Sequence, residues 1–176
     1  LRARLAPQHT VYADEIDNLV SIADASIDLV LGLAGLHHSR SAARTIAEVF
    51  RVLVPGGQFG LCDVAPASPV ARWLNEFVNE HNPNGHAGRF VAKDEIEMLL
   101  REAGYVDVHT SVESVPWHFA GDADLLRFFA GLFGLQCDEE TIARGIETYF
   151  DVDRSAGRVS VDWSLIYVRA CTPGPG

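Results

Sequence analysis

Residues 22–64 read IADASIDLVLGLAGLHHSRSAARTIAEVFRVLVPGGQFGLCDV, and this stretch decides the fold. An apolar run at 27–33 is followed by a polar break at His37-His38-Ser39. Ile46, Val49, Phe50 and Leu53 then recur at i, i+3, i+4 and i+7, which places them on one face of a helix. Pro55-Gly56-Gly57 stops that helix, because proline cannot continue it and glycine supplies positive φ. A second apolar strand is predicted over 58–64. Strand, helix and strand in this order make a βαβ unit, and such units build parallel sheets with right-handed crossovers. The class predicted is therefore α/β. The run at 27–33 is apolar almost throughout, as a parallel strand covered on both faces is, so we expect it to be central and buried.

Outward from this unit, the stripe Val70, Trp73, Leu74, Phe77 and Val78 predicts a helix over 70–81, broken by Asn82-Pro83-Asn84-Gly85-His86. That break is expected to be a mobile loop carrying His81, His86 and Arg89. Ile96, Leu99, Leu100 and Ala103 predict a helix over 93–103 ended by Gly104, and alternation at 106–112 predicts a half-buried strand. A helix-rich insertion is expected at about 120–152, since Leu125, Phe129, Ile142, Ile146 and their neighbours fall at helical spacing. A last strand is expected over 159–170. Residues 172–176 are expected to be a disordered tail. Upstream, 1–7 reads as the end of a helix and 11–13 as a short strand.

At 176 residues with 48% hydrophobic content the chain suits one domain. A net charge of -10 disfavours the phosphate backbone of nucleic acid as a partner. No apolar run reaches the ~20 residues that cross a bilayer, and no secretory signal pattern is present. The three cysteines are scattered without metal spacing, which favours reduced thiols and a cytoplasmic location. His37 and His38 are two adjacent histidines with no third ligand at plausible spacing, so the pattern predicts no metal.

The blocks DASIDLV (24–30), LHH (36–38) and EVFRVLVPGG (48–57), with Asp63 closing the next strand, resemble the second half of a class I S-adenosylmethionine-dependent methyltransferase of the type 11 kind. The resemblance implies a Rossmann-like, mostly parallel sheet with an antiparallel last strand. It implies S-adenosyl-L-methionine as cofactor, with Asp14 or Glu15 near the adenine, and Leu33, Ala34 and His37 along the rest of the donor. His37 and His38 are then the candidate catalytic bases, because a histidine titrates near neutrality. Asp63, His86, Trp117 and His118 are candidates for contact with the methyl acceptor, expected to be a small molecule.

Members of this family carry a glycine-rich loop after their first strand. No Gly-x-Gly pattern precedes Leu31 here, and the only methionine is Met98. These two features lead us to expect a partial methyltransferase domain over 1–171, truncated at its N-terminus. The strand at 27–33 would then carry a bare apolar edge. Two rival readings remain: a non-catalytic methyltransferase-like binding or assembly module, and a nucleotide-dependent oxidoreductase, against which the RVLVPGG turn and a terminal hairpin weigh.

Overall fold

The computed structural model describes residues 10–175. The helix expected over 1–7 lies outside the described residues. Four strands form the main sheet in the order β1-β2-β7-β3: β1 (Ile27–Leu33), β2 (Leu53–Val64), β7 (Leu165–Cys171) and β3 (Val106–Glu113). β1 and β2 are parallel, whereas β7 runs antiparallel to both β2 and β3. This is the Rossmann-like, mostly parallel sheet with an antiparallel last strand that the resemblance implies.

The crossover helix α1 (Ala42–Val52) starts where Ser41 accepts a hydrogen bond from the Arg44 backbone N–H, which satisfies one of the free donors of the first turn. Its apolar side, Ile46 and Val49, packs with α4 (Lys93–Glu102) through Ile96 and Leu100 against Phe59, Leu61, Ile166, Val168 and Ala170. Pro55-Gly56-Gly57 is a bulge rather than a separate turn. β1 pairs with β2 at Ile27↔Leu53 and resumes at Leu29↔Gln58, so the intervening residues loop out of the ladder. Gly56 sits at φ 78, where a side chain would be strained.

A second apolar cluster caps the carboxyl end of β2. It is built from α2 (Pro69–Arg72), the π-helical stretch Trp73–Val78, α3 (Asn79–His81), α5 (Asp122–Phe133), α6 (Glu139–Tyr149) and a small sheet. That sheet has the order β4-β6-β5, from β4 (Pro116–Phe119), β6 (Val159–Asp162) and β5 (Val152–Asp153). Trp73 and Phe129 are fully buried at its centre, and Trp163 stacks on Trp117 at 4.2 Å between ring centroids.

Several expectations are corrected. β1 is not a buried central strand. It is an edge of its sheet among the described residues, with Leu29, Leu31 and Leu33 exposed by 51%, 74% and 77%. Its apolar character on both faces is real, but only one face is covered by α1 and α4. Among the described residues β1 has no neighbour on its outer side. Residues 11–13 form no strand, and the nearest bridge joins Glu15 to Asn18. The strand expected over 159–170 divides at Trp163-Ser164 into β6 and β7, which lie in different sheets. The tail expected to be disordered is anchored at its start: Thr172 is buried, its hydroxyl donates to Val54 O at 2.6 Å, and Pro173 O accepts from Gly56 N at 2.9 Å.

Candidate functional site

In open α/β sheets ligands bind beyond the carboxyl ends of the parallel strands. Here β1 ends at Leu33 and continues through Ala34, whose φ of 48 is left-handed and whose N–H donates to Cys62 O at 2.8 Å. The chain then tightens into the 3-10 turn Leu36–His38. That turn brings His37 over the end of β2. The His37 N–H donates to Asp63 Oδ2 at 3.0 Å, and the His37 Nδ1 lies 2.5 Å from Asp63 Oδ1. Asp63 Oδ1 also accepts the Val64 N–H at 2.7 Å. His37 and Asp63 are both buried, at 5% and 4% exposure. A buried carboxylate is tolerated only when its lone pairs are used, and this one holds the imidazole in a single orientation.

The loop after α3 closes over this pair. Arg89 N donates to His37 O at 3.0 Å. Asn75 grips the backbone of Gly88 from both sides, with Nδ2 donating to its carbonyl at 2.8 Å and Oδ1 accepting its N–H at 2.9 Å. Asn79 Oδ1 accepts the His86 N–H, and Asn82 Oδ1 accepts the Asn84 N–H. The segment expected to be a mobile cover is thus stitched down by three asparagines. Glycine is needed at position 88, since a Cβ there would stand 2.8 Å from the His37 ring and 3.0 Å from the His86 ring.

As a result His37, His38, His86 and Phe90 form one aromatic cluster. His37 lies 4.1 Å from His38, 5.4 Å from His86 and 4.9 Å from Phe90, between ring centroids. Burial, and then the neighbouring imidazoles of His37 and His38, push His86 down to about 4. Burial and the His37 ring also lower His38. A cleft of about 240 Å³ adjoins the cluster, lined by Pro66, Ala67, Asn75, Gly88 and Phe90 among others.

The remaining candidates fall elsewhere. Leu33 and Ala34 are exposed at the end of β1, beside the small residues Gly32 and Gly35. Asp14 uses both carboxylate oxygens on Ser21, accepting from its N–H at 2.8 Å and its hydroxyl at 2.9 Å, so it closes its own loop. Glu15 pairs with Arg40 at 3.3 Å and lines a polar groove of about 510 Å³ with Asn18, Arg44 and Glu48. Trp117 packs into the cap against Trp163, Phe128 and Phe129. His118 is exposed on β4, with no ring contact to the histidine cluster among the described residues. Asn75, Gly88 and Phe90 were not singled out from the sequence. The signal that would find them is the trio Asn75, Asn79 and Asn82, spaced at i, i+4 and i+7 along one helical segment facing the loop.

Residues 2–61 match the family model described as methyltransferase domain. Over 54 residues, 31% of this chain, the sequence is 37% identical to the phthiotriol/phenolphthiotriol dimycocerosates methyltransferase of Mycobacterium leprae, of which the match spans only 20%. Among solved structures, the YcgJ protein of Bacillus subtilis is similar at a TM-score of 0.62 and 18% identity, covering 90% of this chain and 69% of that one. A putative methyltransferase from Bacillus halodurans is similar at 0.59 and 19%, covering 89% and 69%. This chain has the fold of the class I S-adenosylmethionine-dependent methyltransferases. Its sequence carries that family's pattern in the first third, through β1, α1 and most of β2.

Proposed function

We propose that this chain serves S-adenosyl-L-methionine-dependent methyl transfer to a small-molecule acceptor, and that it supplies the acceptor side of the site. The observation that carries the reading is the His37–Asp63 pair, buried where the parallel strands β1 and β2 end. S-adenosylmethionine, when bound, supplies a methyl group already activated by the sulfonium charge. Leu33 and Ala34 fit a donor: they are exposed at the carboxyl end of β1 among small residues that allow close approach. Glu15, in its polar groove, is the better placed of the two acidic candidates for the adenine.

The work left to the chain is alignment and exclusion of water. The cleft beside Phe90 and Gly88 holds the acceptor. Asp63 fixes the His37 ring so that Nε2 can take the hydrogen of an acceptor hydroxyl, as a general base must within hydrogen-bond reach. The loop 82–92, held by Asn75, shields the reaction from solvent. A net charge of -10 supports a small molecule over nucleic acid. No helix among the described residues is long and apolar enough to cross a membrane.

Methyl-labelled S-adenosylmethionine and a panel of small hydroxyl and amine acceptors, offered to the full-length gene product, test this reading. We expect label in a small acceptor, and a kcat lowered by about 10²–10⁴ in His37→Gln with KM nearly unchanged. Absence of donor binding and of transfer to any acceptor would favour the rival, a non-catalytic binding module.

A further inference from the structure

The histidine cluster has a property that methyl transfer does not need. One ring nitrogen from each of His37, His38 and His86 lies within 4.8 Å of the others. Two of these rings have their tautomers fixed. Both Asp63 oxygens already accept backbone N–H groups, from His37 and Val64, so Asp63 faces the ring as an acceptor and His37 donates to it from Nδ1. Asn75 is locked by Gly88 with its Nδ2 on the carbonyl and its Oδ1 on the N–H. The atom it turns to His86 Nδ1, at 3.0 Å, is therefore also an acceptor, and His86 too is protonated on Nδ1. Both rings are left with a lone pair on Nε2, and neither Nε2 has a hydrogen-bond donor among the described residues. His38 adds a third, exposed imidazole in ring contact with both.

We propose that His37, His38 and His86 form a binding site for a divalent transition metal of the zinc class, with one coordination position left open. The donor set is chemically selective: neutral imidazoles suit zinc, cobalt, nickel or copper and not magnesium or calcium. Three protein ligands with an open fourth position is the arrangement of a zinc ion that acts on a substrate. The outer shell is already present, since Asp63 and Asn75 each orient a ligand through its other nitrogen. A tetrahedral site with Zn–N of about 2.1 Å needs nitrogens about 3.4 Å apart. The cluster therefore closes slightly on binding, chiefly by rotation of the exposed His38 ring.

This inference does not rest on the methyltransferase reading. A cation on Nε2 of His37 would prevent that nitrogen from acting as a base, and polarisation of an acceptor oxygen would pass to the cation instead.

Cobalt(II) titrated into the metal-stripped protein, followed by visible absorption and back-displaced with zinc(II), tests the site. We expect one cobalt per chain, a low-symmetry absorption band, and full displacement by one equivalent of zinc. His38→Ala and His86→Ala, both checked for native circular dichroism, should each weaken binding by at least the 10–100-fold that loss of an outer-shell partner costs. His109→Ala and His118→Ala, which change exposed histidines elsewhere, should leave it unchanged. Absence of a stoichiometric band overturns the proposal. So does cobalt binding that survives both His38→Ala and His86→Ala, or that falls equally in the two controls.

Discussion

The aromatic cap and the open strand β1 are comparably apolar and have opposite fates. In the cap, Trp73, Phe129 and Trp163 are 0%, 0% and 6% exposed. Along β1, Leu31 and Leu33 are 74% and 77% exposed, although IDLVLGL is as hydrophobic as any segment of the chain. Hydrophobicity states what a segment would gain by burial, while packing decides whether it is buried. The cap covers the carboxyl end of β2 from within the described residues. The β1 side is left with an apolar edge and face, which is a pairing surface.

The largest expected effect lies in the cap. Phe129→Ala should cost about 3–5 kcal/mol in a urea titration, because it opens a cavity among rings with no room to relax. Trp73→Phe should cost much less. It loses ring volume but also removes the Trp73 Nε1–H, a buried donor with no hydrogen-bond partner among the described residues. The open strand should behave in the reverse way. Leu31→Ser together with Leu33→Ser should change stability by no more than about 1 kcal/mol and reduce self-association in sedimentation velocity. A loss as large as that of Phe129→Ala would mean that the two regions do not differ as described.

The comparison also shows what was legible in the sequence. Periodicity places α1, α4, α5 and α6 because each has a covered stripe, and pattern alone reports that. The same logic misjudged β1, since coverage of a strand's second face depends on elements distant in sequence. The division of 159–170 into two strands was hidden for a related reason: Trp163 and Ser164 do not look like a break, and only the separate sheets reveal one. His37, His38 and Asp63 were readable from the βαβ unit. His86 was a candidate acceptor contact from the sequence, but its place against the His37 and His38 rings was not readable, because it arrives through a loop held by asparagine side chains. Local spacing therefore counted two histidines where the fold assembles three.

Smaller effects sharpen the boundary between the two regions. Arg51 ties residues 19–24 to α1, donating to Leu19 O, Ile22 O, Asp24 and Glu48. Arg51→Ala should speed amide exchange across residues 19–24 and leave the cap unchanged. Glu97 on α4 is held down to about 2 by the Thr110 hydroxyl, then by Lys93 and Arg101. Its folded value lies below its unfolded one, so its stabilisation is present above about 4.5 and disappears as pH falls toward about 2. Glu97→Gln should flatten the acid limb of the stability curve over that window, by little, because the half-buried group still lies near the surface, where solvent screens it.

The central claim is that the carboxyl ends of β1 and β2 are where the methyl donor and acceptor meet. Amide exchange of the full-length gene product, with and without S-adenosylhomocysteine, tests it most directly. The account predicts slower exchange around residues 33–38 and in the 82–92 loop, with α5 and α6 unaffected. Protection confined to the aromatic cap, or none at a saturating concentration, would contradict it.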